Sequence, residues 1–291
     1  MRTKLFFGIV SMALLNSCEL IQDVEIPIDG ETSDITFSAS IENETSTKTA
    51  LSDKANNYGY YSLYWTMGDV ISISDGKNIS MFTTESNGTS SGEFTSQKGK
   101  IDSDAPVYTA FYPSSITVNR KILPAEQNYV RGNVENFPMY AKSNTRNLKF
   151  KNLCGIIRLS LKSEKTGDIQ VSSISLSADN AGLSGYFTIG SKNEAIVDGN
   201  DGVVLICKNI VSLYSSLYTD FNIIVPAGDY NPLRIKICDA DGREINLEST
   251  DNICVKRGGI TRISQTLGSS SFDSSLEMIP ITDSDVDFTD R

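Results

Sequence analysis

Histidine, the commonest catalytic and metal-ligating side chain, is absent from the 291-residue chain. Without imidazole, the Ser-His-Asp and Cys-His nucleophile arrangements are excluded, as is every zinc or iron site built on a His ligand. Carboxylate, lysine, tyrosine and thiol chemistry remain. Asp and Glu number 36 against 26 Lys and Arg, a net charge of −10, yet the sequence shows no paired-acid motif assignable to facing strands, so a glycosidase stays open without positive support. Asp239-Ala240-Asp241-Gly242 begins like a calcium loop but lacks the further acids and the closing Glu, and a hairpin turn accounts for it. Cys154, Cys207, Cys238 and Cys254 lie on four separate segments with no C-x-x-C spacing, which makes a poor zinc set. They are open to three disulfide pairings or to remaining reduced structural thiols, the second being the preferred reading. Three of them, Cys154, Cys238 and Cys254, share strand phase with Arg158, Lys236 and Lys256, which places them off the most apolar face. Tyr58, Tyr60, Tyr61, Tyr64 and Trp65 form an aromatic cluster able to stack on sugar rings or to pack a core, with core packing the preferred use. No catalytic residue, cofactor or metal is assigned. The acidic balance also lacks the basic face that displaces counterions from phosphates, so nucleic acid is not an expected partner.

The fifth cysteine, Cys18, stands in a different context. Arg2 and Lys4 precede an apolar run from Leu5 to Leu15, within the ~7–15 residues of a signal h-region and short of the ~20 that span a bilayer. The run ends in Leu15-Asn16-Ser17-Cys18, which resembles the bacterial lipobox, although Asn16 departs from the commoner Ala or Ser. That resemblance implies cleavage before Cys18, a diacylglycerol thioether on its sulfur and acylation of the new amino group; the alternative is a plain secretory signal. Two or three acyl chains, at ~0.8 kcal/mol per buried CH₂, hold a protein on a membrane where one does not. Residues 1–17 carry two bases and no acid, so their removal takes the charge from −10 to −12. Residues 18–33, with Glu19, Asp23 and Glu25 ahead of Pro27 and Gly30, read as an acidic tether and resemble the surface-export signals of Bacteroidetes lipoproteins.

From Ile35 onward the chain reads as all-β, with no helical periodicity. Ile35 to Ile41 alternates at period two. Asp69 to Ser74 runs into Asp75-Gly76, and Ala105 to Tyr112 ends at Pro113. The pattern repeats in Leu153 to Leu161, Ile169 to Leu176, Gly185 to Ile189, Val203 to Ile206, Phe221 to Val225 and Leu233 to Ile237. Many short strands at this spacing predict β-sandwiches, and the length predicts two: residues 34–147 and 148–268, split at the polar stretch Ala141 to Asn147. Leu123 to Tyr140 reads as a long surface loop, Gly268 to Ser271 as a flexible break, and residues 269–291 as an acidic tail.

An ordered series of motifs runs through this frame: Ile35-Thr36-Phe37-Ser38-Ala39, Thr47-Lys48-Thr49, Trp65-Thr66-Met67-Gly68-Asp69-Val70-Ile71, Tyr108 to Pro113, Leu123-Pro124-Ala125-Glu126-Gln127, Leu148 to Gly155, Leu183 to Phe187 and Val225-Pro226-Ala227-Gly228. The series resembles the fimbrillin-like family of Bacteroidetes, the lipoprotein precursors of type V pili. The resemblance implies two transthyretin-like β-sandwiches, display on the outer membrane through the lipid, and assembly with other pilin subunits by strand exchange. In that assembly a protease cuts after a basic residue, the first strand leaves, and the C-terminal strand of another subunit fills the groove. Between Cys18 and Lys77 the only bases are Lys48 and Lys54, and Lys48-Thr49 lies in a polar segment seven residues past Ile41, a position suited to proteolysis. Lys48 is equally readable as a plain loop lysine. Leu276-Glu277-Met278-Ile279-Pro280-Ile281 is a candidate donor strand, with Pro280 confining it to an edge or end; the other reading is a solvated tail.

Two functions of different class follow: a structural or adhesive pilus subunit without catalytic residues, carried to a fimbrium and open to a host or bacterial surface ligand, or a surface glycan-binding lipoprotein using the Tyr58 to Trp65 cluster or a loop end.

Overall fold

The computed structural model describes residues 35–42, 63–98, 100–272, 279–281 and 286–288. The described segments are strand, turn and one short 3-10 turn, and they belong to a single compact unit. The first nine strands are β1 (Thr36–Ile41), β2 (Val70–Ser74), β3 (Ile79–Thr84), β4 (Ser91–Lys98), β5 (Tyr108–Tyr112), β6 (Ile122–Leu123), β7 (Glu126–Asn128), β8 (Met139–Ser143) and β9 (Asn147–Asn152). Seven of them form a ring in the order β1-β4-β3-β2-β5-β8-β9, closed by parallel pairing of β9 with β1. The N-terminal part is therefore one sheet curled on itself, where two stacked sheets were expected. Closure removes the free edges that an open sheet would leave.

Period-two alternation turns Phe37, Ala39 and Ile41 of β1, Ile71 and Ile73 of β2, and Leu148 and Phe150 of β9 into the ring. Trp65, just ahead of β2, is wholly buried, with Phe94, Tyr112 and Phe150 edge-on around it at centroid distances of 4.9, 5.6 and 5.4 Å. Its indole N–H, which burial would leave costly if unpaired, donates to the Ala39 carbonyl at 3.3 Å.

The remaining strands are β10 (Cys154–Ser163), β11 (Gln170–Ala178), β12 (Gly185–Ile189), β13 (Ala195–Val197), β14 (Val203–Ser212), β15 (Thr219–Pro226) and β16 (Gly228–Tyr230). They continue through β17 (Leu233–Asp239), β18 (Glu244–Ser249), β19 (Ile253–Val255), β20 (Ile260–Leu267), β21 (Ile279–Ile281) and β22 (Val286–Phe288). A four-stranded sheet, β15-β10-β20-β22, and a six-stranded one, β21-β18-β17-β11-β14-β7, share a second core. Ile157, Leu159, Leu161, Phe221 and Ile263 come from the first sheet, and Ile174, Leu176, Leu205, Ile235 and Ile245 from the second.

β10 serves both cores. Cys154 and Ile156 join the ring's core, while Ile157, Leu159 and Leu161 on the opposite phase join the second. Leu148, expected to open the second domain, lies in β9 and packs in the ring, so the change of core occurs within β10. Gly155 lets the approach to β20 cross closely: a Cβ there would overlap the Lys256 carbonyl oxygen and the Val255 side chain.

The expected loop from Leu123 to Tyr140 contains strand. β6 pairs with β12, and β7 runs parallel to β14. These strands are two and three residues long and Pro124 lies between them, so no alternation betrays them in sequence. Gln127 of β7 also reaches the other sheet. Its Nε2–H donates to the Ile224 carbonyl at 2.7 Å and its Oε1 accepts the Ile224 N–H at 2.9 Å. One side-chain amide thus replaces a neighbouring strand at the β15 edge. Gly268 to Ser271, expected as a flexible break, leads into a 3-10 turn (Ser269–Phe272) whose Phe272 is buried beneath the Arg243 guanidinium, 4.2 Å from the ring centroid.

The β2–β3 turn is fixed by a buried carboxylate. Asp75 accepts the backbone N–H of Lys77 (2.8 Å), Asn78 (2.6 Å) and Asp102 (2.8 Å), together with the Asn78 amide (3.2 Å). Burial pushes its pKa up, but the donors of Asn78, Asp102 and Lys77 outweigh burial and hold the carboxyl well below its ordinary value.

Gln127→Ala should cost about 1–3 kcal/mol in chemical denaturation, because it strands both polar groups of Ile224, whereas Gln127→Glu should fail to restore the donor to the carbonyl. For Asp75 the folded pKa lies below the unfolded value of 3.8. Its contribution is therefore complete above that pH and is lost as pH falls towards the folded value. The stability gap between wild type and Asp75→Asn should stay constant from pH 7 to about pH 5 and shrink below about pH 4.

Candidate functional site

The part of the ring that can be separated from the rest by one chain break is β1. It lies between β4, antiparallel with Phe37 opposite Phe94 and Ala39 opposite Gly92, and β9, parallel with Ile41 beside Phe150. Its polar face, Thr36, Ser38 and Ser40, points outward, while its apolar face fills a seat lined by aromatic rings. Phe37 meets Phe82 and Tyr108 edge-on at 5.0 and 4.8 Å. Further main-chain bonds run from Ser38 N–H to the Arg146 carbonyl (3.0 Å), Ile41 N–H to the Ser90 carbonyl (2.9 Å) and Glu42 N–H to the Phe150 carbonyl (2.8 Å).

The exit of β1 is tied to the second part of the fold. The Glu42 carboxylate pairs with the Arg257 guanidinium and accepts the Asn152 N–H at 3.1 Å; Arg257 also donates to the Asn152 carbonyl at 3.1 Å. Both side chains are partly shielded, at 28% and 18% exposure, so this pair holds more than a surface pair would. The chemistry of the seat is recognition by shape: backbone donors and acceptors on two flanks and apolar pockets at every second residue.

Cys18, Lys48 and Thr49 lie outside the described residues, as do Tyr58, Tyr60 and Tyr61. Of the aromatic cluster read as a sugar platform, Trp65 is in the core and Tyr64 is half-buried.

The C-terminal segment is paired within its own chain. β21 runs parallel to β18, with Pro280 opposite Glu248, and β22 runs antiparallel to β20. The Ile281 side chain is buried in the second core and its carbonyl accepts the Thr250 N–H at 3.0 Å. Leu276 and Met278 lie outside the described residues.

Cys154, Cys207, Cys238 and Cys254 are free thiols. Cys154 corrects the expectation that it lies off the apolar face: it is fully buried, because the β10 face that carries Arg158 further along is covered by the ring's core at Cys154 and Ile156. Burial pushes the Cys154 thiol far up and that of Cys207 up to about 11, so neither is a nucleophile near neutral pH. Among the described residues no cluster of acids and cysteines could hold a metal ion. Asp239 is spent on its own hairpin, accepting the N–H groups of Asp241 (2.9 Å) and Arg243 (2.8 Å) and the Arg243 Nε–H (2.8 Å).

One surface feature was missed in the sequence. Lys208 to Ile210 bulge outward as an arch within β14, since Ser173 pairs with Ile206 but Val171 pairs only with Val211. Together with the loops around Arg131 and Tyr218, the arch borders an open depression of about 840 Å³. The available signal was Tyr214, Leu217 and Tyr218 within a serine-rich connection that has no strand alternation.

No family model and no curated protein matches the chain. Solved structures do align with it. A candidate cell adhesion protein from Bacteroides uniformis aligns at 16% identity over 82% of this chain and 94% of that one, with a TM-score of 0.47. Another from Bacteroides ovatus aligns at 13% identity over 80% and 92%, with a TM-score of 0.48. The tip fimbrial protein of Porphyromonas gingivalis with C-terminal truncation aligns at 9% identity over 79% and 94%, with a TM-score of 0.34.

Phe37→Ala should destabilise the protein by about 3–5 kcal/mol, since it empties the pocket between Phe82 and Tyr108, whereas Ser38→Ala on the outward face should stay within about 0.5 kcal/mol; urea denaturation of the two variants separates them.

Proposed function

We propose that the chain is a structural or adhesive subunit of a surface pilus, exported as a lipoprotein through Cys18 and assembled by strand exchange. The observation that carries the proposal is the placement of β1. A single six-residue strand closes the ring, its apolar side chains fill an aromatic seat, and the polar segment with Lys48-Thr49 follows it in sequence. A cut after Lys48 would leave β1 held by noncovalent contacts alone. Its departure would uncover the edges of β4 and β9 together with the pockets of Phe37, Ala39 and Ile41. Unpaired edges and vacant apolar pockets in alternation are what an extended segment from a second subunit can fill. The C-terminal segment is the proposed donor, and among the described residues it is paired through two strands of three residues each. The ordered motif series, from Ile35-Thr36-Phe37 to Val225-Pro226-Ala227, supports the same reading, as does a histidine-free, acidic composition suited to association rather than to histidine-based catalysis.

The test is to follow the N-terminus in cells that display the protein. Mass spectrometry of surface material should find a form beginning at Thr49, and unboiled samples should give a polymer ladder on a denaturing gel. Lys48→Gln should abolish both and leave a monomer beginning at Cys18. Wild-type surface protein that begins only at Cys18, with no ladder, overturns the strand-exchange reading.

A further inference from the structure

Eight large apolar side chains are conspicuously exposed among the described residues, and four of them, Ile210, Tyr214, Leu217 and Tyr218, line the one depression beside the β14 arch. Their exposures lie between 43% and 52%. Such concentration is not the scattered apolar exposure common to soluble proteins, and it marks a contact surface. The arch explains how it is built. The extra residues between Ile206 and Val211 lift Lys208, Asn209 and Ile210 away from the sheet, and the Lys162 ammonium, 5.1 Å from the Tyr218 ring centroid, steadies that ring.

The charges around the depression narrow the ligand. Its lining holds two cations, Arg131 and Lys208, both exposed and neither in an ion pair among the described residues. Its one acid is Asp220, already engaged by the Ser160 hydroxyl at 2.6 Å and facing Arg158 and Arg262 at 3.9 and 3.8 Å. A chain of net charge −10 thus offers here a locally cationic site beside exposed tyrosine rings.

We infer that this depression binds a carboxylate-bearing saccharide, such as a sialylated or uronate-containing glycan. The apolar face of a pyranose ring stacks on Tyr214 or Tyr218. The sugar carboxylate pairs with Arg131 and Lys208, and ring hydroxyls bond the polar rim. Flat tyrosine faces with hydrated hydroxyls suit a ring with one apolar face, and a guanidinium forms the stronger, charge-assisted bonds to a carboxylate. The site is independent of β1 and of the C-terminal segment, so it stands or falls separately from strand exchange.

The purified full chain should be titrated by saturation-transfer NMR with 3′-sialyllactose and a glucuronate disaccharide, each against its neutral counterpart, up to about 10 mM, a range that reaches weak specific affinities. At least one acidic probe should bind about tenfold more tightly than its neutral partner, and raised salt should weaken it. Tyr218→Ala and Arg131→Ala should each lower that affinity about tenfold with the circular dichroism spectrum unchanged. Met67→Ala, which removes another exposed apolar side chain outside the depression, should leave it intact. Absence of binding by both acidic probes, equal binding of acidic and neutral sugars, or binding that survives both substitutions at the depression overturns the assignment.

Discussion

The two cores of the fold meet on one strand whose two faces are buried for different reasons. β10 is almost continuously buried, yet its two faces do not look into one core. Near its start Cys154 and Ile156 pack into the ring's core, and along the opposite face Ile157, Leu159 and Leu161 anchor the sandwich. Such an arrangement makes the two parts of the fold neighbours by covalent necessity and leaves no linker between them. It also demands close backbone approach where the strand passes the β19–β20 turn. The Cys154 carbonyl accepts the Gly258 N–H at 2.8 Å, the Ile156 N–H donates to the Gly259 carbonyl at 3.0 Å, and Gly155 supplies the missing side chain. A bulkier residue there would have to push β10 away from Val255 and Lys256.

Around that strand the recurring problem is what to do with edges. The ring solves it by closure, through the β1–β9 pairing. The sandwich solves it piecemeal: β7 covers part of β14, Gln127 occupies the bonding groups of Ile224 on β15, β21 flanks β18, and β22 flanks β20. These are economical devices, each a few residues long, and each leaves the edge recoverable. A β-rich protein built this way resists indiscriminate edge pairing while keeping specific edges within reach.

What could be read in the sequence was what depends on near neighbours. β1 follows from the alternation of Phe37, Ala39 and Ile41 with small polar residues, the Asp239 hairpin from Asp-x-Asp-Gly, and the core position of Trp65 from its place in the motif that runs from Trp65 to Ile71. What could not be read depends on distant partners. Glu42 and Arg257 are 215 positions apart, and nothing local marks them as a pair. β6 and β7 are too short to show a period. The aromatic depression exists because β14 carries more residues than β11 opposite it, a mismatch invisible until both strands are registered. The side chain of Cys154 shares phase with Arg158 and is nonetheless buried, because one face of one strand changes its surroundings along its length. Composition, by contrast, spoke only to exclusions.

The position of β1 in the chain carries one more consequence. Any membrane attachment at Cys18 lies upstream of β1, and Lys48 lies downstream of it. The plug of the seat and the mooring of the subunit would then be one continuous piece of polypeptide, and a single scission would act on both. Under the proposed processing, a moored subunit keeps its own seat filled, and a subunit ready to accept a partner has already lost its covalent hold on the membrane. Sequence order alone would then enforce a sequence of events in time, an interlock that needs no sensor and no separate regulatory site.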